Sequence, residues 1–198
     1  MRQYFDHTQQ KQIHILQPAD FYVVEKKEII STVLGSCIAV CLRDKKNKIG
    51  GMNHFLLPYN LNDKQRHWPA DYQSTQLRYG NISMELLINQ LIIKGAERQH
   101  FEAKIFGAAS VLLNCSDIGE RNLIFVREYL KAESIPIVSE DVGGVEARKI
   151  LYNVEDGEVI RFLVSMKSRS AIDSSEKNYH KNILEKPIKS HIDFFGDN

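Results

Sequence analysis

Ser31-Thr32-Val33-Leu34-Gly35-Ser36-Cys37-Ile38-Ala39-Val40-Cys41-Leu42-Arg43-Asp44-Lys45-Lys46-Asn47-Lys48-Ile49-Gly50-Gly51-Met52-Asn53-His54-Phe55-Leu56-Leu57 is the stretch on which the fold turns. It holds short runs rich in β-branched and apolar residues, broken by Gly35 and by Asp44-Lys45-Lys46-Asn47, and such runs read as successive strands. Phe21–Val24 and Ile29–Val33 add further strands on the N-terminal side. A two-residue loop at Lys45-Lys46 would join Ile38–Leu42 to Ile49–Leu56 as a hairpin. That register sets Asp44 opposite Asn47 and Cys37 opposite His54, with Cβ atoms of the latter pair about 4.5–5.5 Å apart on one face.

Beyond this hairpin, Tyr59–Arg78 reads as a long polar loop carrying His67-Trp68-Pro69. Ile82, Leu86, Leu87 and Leu91 keep a helical period, with Asn81 placed to cap the start and Gly95 to stop the end. Phe101–Phe106 alternates like a strand. A second helix is expected over Ile118–Ala132, opened by Asp117 and Glu120 at capping-box spacing. Ile135–Val138, Lys149–Tyr152 and Val159–Val164 read as strands, with Gly143-Gly144 as a turn. Strands, helix, strand, helix and strands again make an α+β protein, its helices layered on mostly antiparallel sheet. Residues 1–20 are polar and are expected to lie across the surface, ahead of a domain spanning 21–164. Ser165–Asn198 holds 10 hydrophobic residues in 34, a poorer share than the 43% of the whole chain, and reads as a C-terminal extension.

The chain has 198 residues, with 26 basic and 25 acidic side chains and a net charge of +1. That balance argues against a dedicated nucleic-acid binder or a polybasic membrane binder, both of which cluster Lys and Arg. No run approaches the ~18 apolar residues of a membrane span, and the start lacks a signal-type apolar segment. The expected location is the cytosol. Three cysteines, Cys37, Cys41 and Cys115, are too few and too irregular for a disulfide framework, and no partner pair follows at zinc-finger spacing.

A cysteine entering a strand is usually a small buried hydrophobe, and a histidine near a strand end is usually structural. The neighbours of Cys37 argue for more. Gly35-Ser36 lets the backbone turn sharply before the thiol, exposing main-chain N–H groups to an oxyanion. Gly50-Gly51 leaves room on the partner strand for a ligand. A metal site shared by Cys37, Cys41 and His54 is disfavoured, since four strand residues separate the thiols by roughly 13 Å.

Leu34-Gly35-Ser36-Cys37 and Gly50-Gly51-Met52-Asn53-His54-Phe55-Leu56-Leu57-Pro58 together resemble the chemoreceptor glutamine deamidase family, CheD. So do Glu102–Gly107, Ile118-Gly119-Glu120-Arg121-Asn122, Asp141-Val142-Gly143-Gly144 and Arg148. The resemblance spans roughly Phe21 to Val164 and leaves out the C-terminal extension. It implies a layered α/β/β sandwich similar to the catalytic domains of deamidating toxins. It also implies hydrolysis of selected chemoreceptor glutamines to glutamate with release of ammonia, without cofactor or metal. Under it Cys37 is the nucleophile, His54 the general base and Ser31 the hydroxyl that orients the imidazole, with Gly35 and Ser36 supporting the oxyanion. The adjacent Thr32 is a second hydroxyl competing for that orienting role. Ala108-Ala109 stands where the family commonly has Gly-Ala, which reads as a packing adjustment. The implied partners are chemoreceptor cytoplasmic helices and a CheC-type phosphatase; a non-catalytic module binding either one is the competing reading.

Overall fold

A computed structural model describes residues 1–24, 27–57, 75–110 and 118–164, together with positions 174, 178 and 181. Its strands are β1 (Arg2–Asp6), β2 (Lys11–Ile15), β3 (Phe21–Val23), β4 (Glu28–Leu34), β5 (Ile38–Asp44), β6 (Ile49–Phe55), β7 (Phe101–Gly107), β8 (Ile137–Val142), β9 (Arg148–Asn153) and β10 (Val159–Leu163). The helices are α1 (Thr75–Ile93) and α2 (Ile118–Ala132), with a single 3-10 turn at Arg98–His100. One sheet runs β1-β2-β4-β9-β10 and the other β3-β6-β5-β7-β8. Only β2–β4 and β7–β8 pair in parallel among these neighbours.

Period-2 alternation divides each β5 residue pair between two cores. Ile38, Val40 and Leu42 pack with Met84, Leu87, Ile88 and Leu91 of α1 and with Phe125, Val126 and Leu130 of α2. Cys37, Ala39 and Cys41 point the other way and pack with Ile30 and Leu34 of β4 and Ile150 and Tyr152 of β9. The layers are therefore helices, second sheet, first sheet. This is the expected α/β/β sandwich.

Several local expectations change. Residues 1–20 are not a surface appendage: β2 pairs in parallel with β4, and Ile13, His14 and Leu16 are buried. Helix α1 starts by Thr75, so Asn81 lies inside it rather than at its cap, and Leu86 is exposed while Met84 and Ile88 are buried. Gly95 does end it, at φ +94°, with Gly95 N–H on the Ile92 carbonyl and Ala96 N–H on the Leu91 carbonyl. The His67-Trp68-Pro69 motif, the Asp117 cap and most of Ser165–Asn198 lie outside the described residues.

The β5–β6 register also differs. Asp44 pairs with Ile49 and Ala39 with His54, so the loop has four residues, Lys45–Lys48. Lys-Lys is a poor two-residue turn, whereas Asp44 organises a longer one. Its Oδ1 accepts from the N–H of Lys46 and Asn47, each at 2.9 Å, and Lys48 adopts φ +57°. The shift is two residues, so strand parity survives. Cys37 and His54 remain on one face, but as diagonal neighbours, a spacing of about 7–8 Å that a long side chain spans.

Candidate active site

Cys37 is placed by a change of sheet. β4 belongs to the first sheet and β5 to the second, and Gly35-Ser36-Cys37 is the whole connection between them. Three residues suffice only if the backbone bends sharply and its carbonyls find donors away from either ladder. They do. The Gly35 carbonyl accepts from Ala109 N–H at 2.7 Å, and the Cys37 carbonyl from Ala108 N–H at 2.8 Å. The Ser36 carbonyl accepts from Asn122 Nδ2 at 2.9 Å. Gly107 makes the close approach possible, because a Cβ there would sit 2.0 Å from the Cys37 carbonyl oxygen. Ala108 follows at φ +56°, the left-handed region in which glycine is favoured. Backbone conformation, more than packing, thus accounts for the glycine common there in the resembling family.

His54 is buried on the inter-sheet face of β6. Its Nδ1 lies 2.7 Å from the Thr32 hydroxyl, and that hydroxyl donates to the Leu16 carbonyl at 3.0 Å. A carbonyl only accepts, so the single Thr32 proton goes to Leu16 and the Thr32 oxygen accepts Nδ1–H. The ring is held as the tautomer with a bare Nε2, and Nε2 has no hydrogen-bond partner among the described residues. A deprotonated, unclaimed nitrogen is what a general base must present. The hydroxyl on the ring is that of Thr32, not Ser31, which corrects the sequence-based assignment. Thr32 shares the inward face of β4 with Ile30 and Leu34, and Ser31 points to the opposite face.

Burial pulls the His54 pKa from 6.5 down to about 4, against the opposing pull of the Asp20 carboxylate and the Leu16 carbonyl. The ring is therefore neutral at physiological pH. Because the folded value lies below the unfolded one, this group's stabilisation is complete above pH ~6.5, drains as pH falls below that value and is gone once pH has passed ~4. About 2 kcal/mol should be lost between pH 7 and pH 5 from this group. Urea midpoints at the two pH values measure it, and His54→Gln should flatten the difference.

Asn122 has no counterpart among the residues that the sequence singled out for chemistry. It is fully buried on α2, beside the apolar Ile118, Phe125 and Val126. A lone amide on an apolar helix face is the signal that points to it, since a buried amide must find partners. Opposite, Arg148 of β9 ties down the turn after β8, donating to Asp141 Oδ1 at 2.5 Å and to the Gly143 and Glu146 carbonyls. That turn is fastened to the Cys37 support through Gly143 N–H on the Gly107 carbonyl and Ser110 N–H on the Gly144 carbonyl. The expected room at Gly50-Gly51 is taken by protein. Added Cβ atoms there would meet Val154 and the carbonyls of Leu42 and Tyr22 within 2.8 Å. Cys41 is a packed core residue whose thiol burial pushes strongly toward the neutral form, with Lys104 opposing. Cys115 lies outside the described residues.

An α/β/β sandwich that sets a thiol and a hydroxyl-braced imidazole on one inner face has the make-up of an acyl-transfer hydrolase. The family of CheD chemotactic sensory transduction proteins matches residues 56–161. A protein of Halorhodospira halophila described as a probable chemoreceptor glutamine deamidase CheD is 36% identical over 195 residues, covering 98% of this chain and 90% of its own. Proteins with the same description from Hahella chejuensis and Vibrio cholerae are 39% and 38% identical. Each spans 91% of this chain, over 83% and 78% of its own length respectively. The chain belongs to the CheD family. Among the described residues, no helix is long and apolar enough to cross a membrane.

Proposed function

We propose that this protein hydrolyses selected glutamine side chains of chemoreceptors to glutamate, releasing ammonia, with Cys37 as nucleophile and His54 as general base. The observation that carries the reading is the Leu16–Thr32–His54 relay, which leaves Nε2 bare on the face that Cys37 shares. Nε2 takes the Cys37 proton, and the thiolate attacks the carboxamide carbon. The oxyanion so formed lies against the main chain of the Gly35–Cys37 crossover. His54, now protonated, gives its proton to the departing nitrogen, so ammonia leaves and a thioester remains. Water, losing a proton to Nε2, then attacks the thioester carbon. Glutamate departs and the thiol recovers its proton. The glutamines lie on cytoplasmic receptor helices, which places the enzyme in the cytoplasm. A CheC-type phosphatase is its further partner.

The test is to incubate the purified protein with a receptor cytoplasmic fragment and follow peptide masses. A gain of one mass unit at discrete glutamines is expected. Unchanged masses at every glutamine would refute the reading.

A further inference from the structure

We infer that Asn122 is a positioning residue that aims the main-chain N–H of Cys37 at the oxyanion; the inference rests on the deamidase reading above. The Ser36 C=O and the Cys37 N–H belong to one rigid trans peptide plane and point in opposite directions. Whatever grips the carbonyl therefore sets the direction of the N–H. The grip is Asn122 Nδ2 at 2.9 Å. The amide itself is held from its other end, since Asn122 Oδ1 accepts from Leu57 N–H at 2.9 Å. These two partners settle the orientation of the amide, because a carbonyl needs a donor and an N–H needs an acceptor.

The flanking planes are held as well, by Ala109 N–H on the Gly35 carbonyl and Ala108 N–H on the Cys37 carbonyl. The plane bearing the Cys37 N–H is held by a side chain, that of Asn122. Asn122 is itself set on a firm base. Gly119 lies three residues earlier on the same face of α2, and a Cβ there would stand 2.5 Å from the Ala108 carbonyl oxygen. Helix α2 thus docks its first turn directly on the segment that anchors the other two planes. Leu57, two residues beyond β6, links the same amide to the strand that carries His54. One buried side chain spans the nucleophile's crossover, the base's strand and α2.

A purely structural amide would merely satisfy two buried backbone groups. Two reactions of the same thiol separate the roles. Alkylation of Cys37 by iodoacetamide needs the thiolate but forms no oxyanion, whereas deamidation needs both. Asn122→Ala removes both contacts without adding a charge; Asn122→Leu removes them at similar side-chain volume and serves where the smaller residue prevents folding. In the variant that keeps the wild-type circular dichroism, kcat for receptor-fragment deamidation should fall about 10²-fold with KM within about twofold. The iodoacetamide rate should stay within about twofold of wild type, since thiolate supply is untouched. Unchanged kcat in a folded variant, or a parallel fall of kcat and alkylation rate, would overturn the inference. Deamidation surviving in Cys37→Ala, run alongside, would instead overturn the reading beneath it.

Discussion

Replacing Cys37 by alanine is expected to lower deamidation of a receptor fragment by at least about 10⁴-fold, since removing a covalent nucleophile takes away the intermediate itself. The protein should stay folded. The substitution removes a single buried sulfur from the inter-sheet core, at a cost of about 1 kcal/mol. The carbonyl contacts to Ala108, Ala109 and Asn122 use backbone atoms that alanine also has. Cys115→Ala should retain wild-type activity, and Cys41→Ala should act on stability rather than chemistry, its thiol being packed and held neutral. Peptide masses over time, with circular dichroism as the folding control, decide. Persisting activity in Cys37→Ala, or its loss in Cys115→Ala, would show that the nucleophile is elsewhere.

The uneven legibility of this site has physical causes. The span of α2 is readable to the residue because its apolar stripe is narrow, with Phe125, Val126 and Leu130 buried and the opposite face charged. The sharing of one face by Cys37 and His54 is readable because parity survives a register error of two. The error itself arose from Asp44, whose carboxylate folds back on the turn and lengthens the loop, a side-chain effect that strand alternation does not encode. Strands β1 and β2 were hidden by their glutamines. β2 becomes a strand because β4 offers an edge to pair with, a tertiary pairing, and β1 then pairs with β2 as its hairpin partner. Family resemblance marked Ile118–Asn122 without giving Asn122 a task, because its two partners, Ser36 and Leu57, are 86 and 65 residues away.

The choice between Ser31 and Thr32 is the sharpest case. β4 has Ile29, Ile30 and Leu34 buried along with both hydroxyl residues, so burial alternates too weakly along Glu28–Leu34 to announce which face carries the hydroxyl. Two adjacent hydroxyls in such a strand look equivalent on paper. In the fold they are on opposite sides of a sheet, and only Thr32 meets His54. Thr32→Val keeps the side-chain shape and deletes the oxygen that accepts Nδ1–H, so the ring loses its tautomer bias and its fixed orientation. A fall in kcat of about 10²-fold with little change in KM is expected, as for loss of an orienting group in other triads. Thr32→Ser, which keeps the hydroxyl, should recover most of the rate, and Ser31→Ala should leave kcat within about twofold of wild type. Nitrogen-15 shifts of the His54 ring provide the readout that packing alone would not move. They should report an Nδ1–H ring in the wild type and in Thr32→Ser, and a mixture of tautomers in Thr32→Val. If Ser31→Ala proves crippling while Thr32→Val is silent, the inward face of β4 is not the face that serves the imidazole. The relay from Leu16 through Thr32 to His54 would then have no part in catalysis.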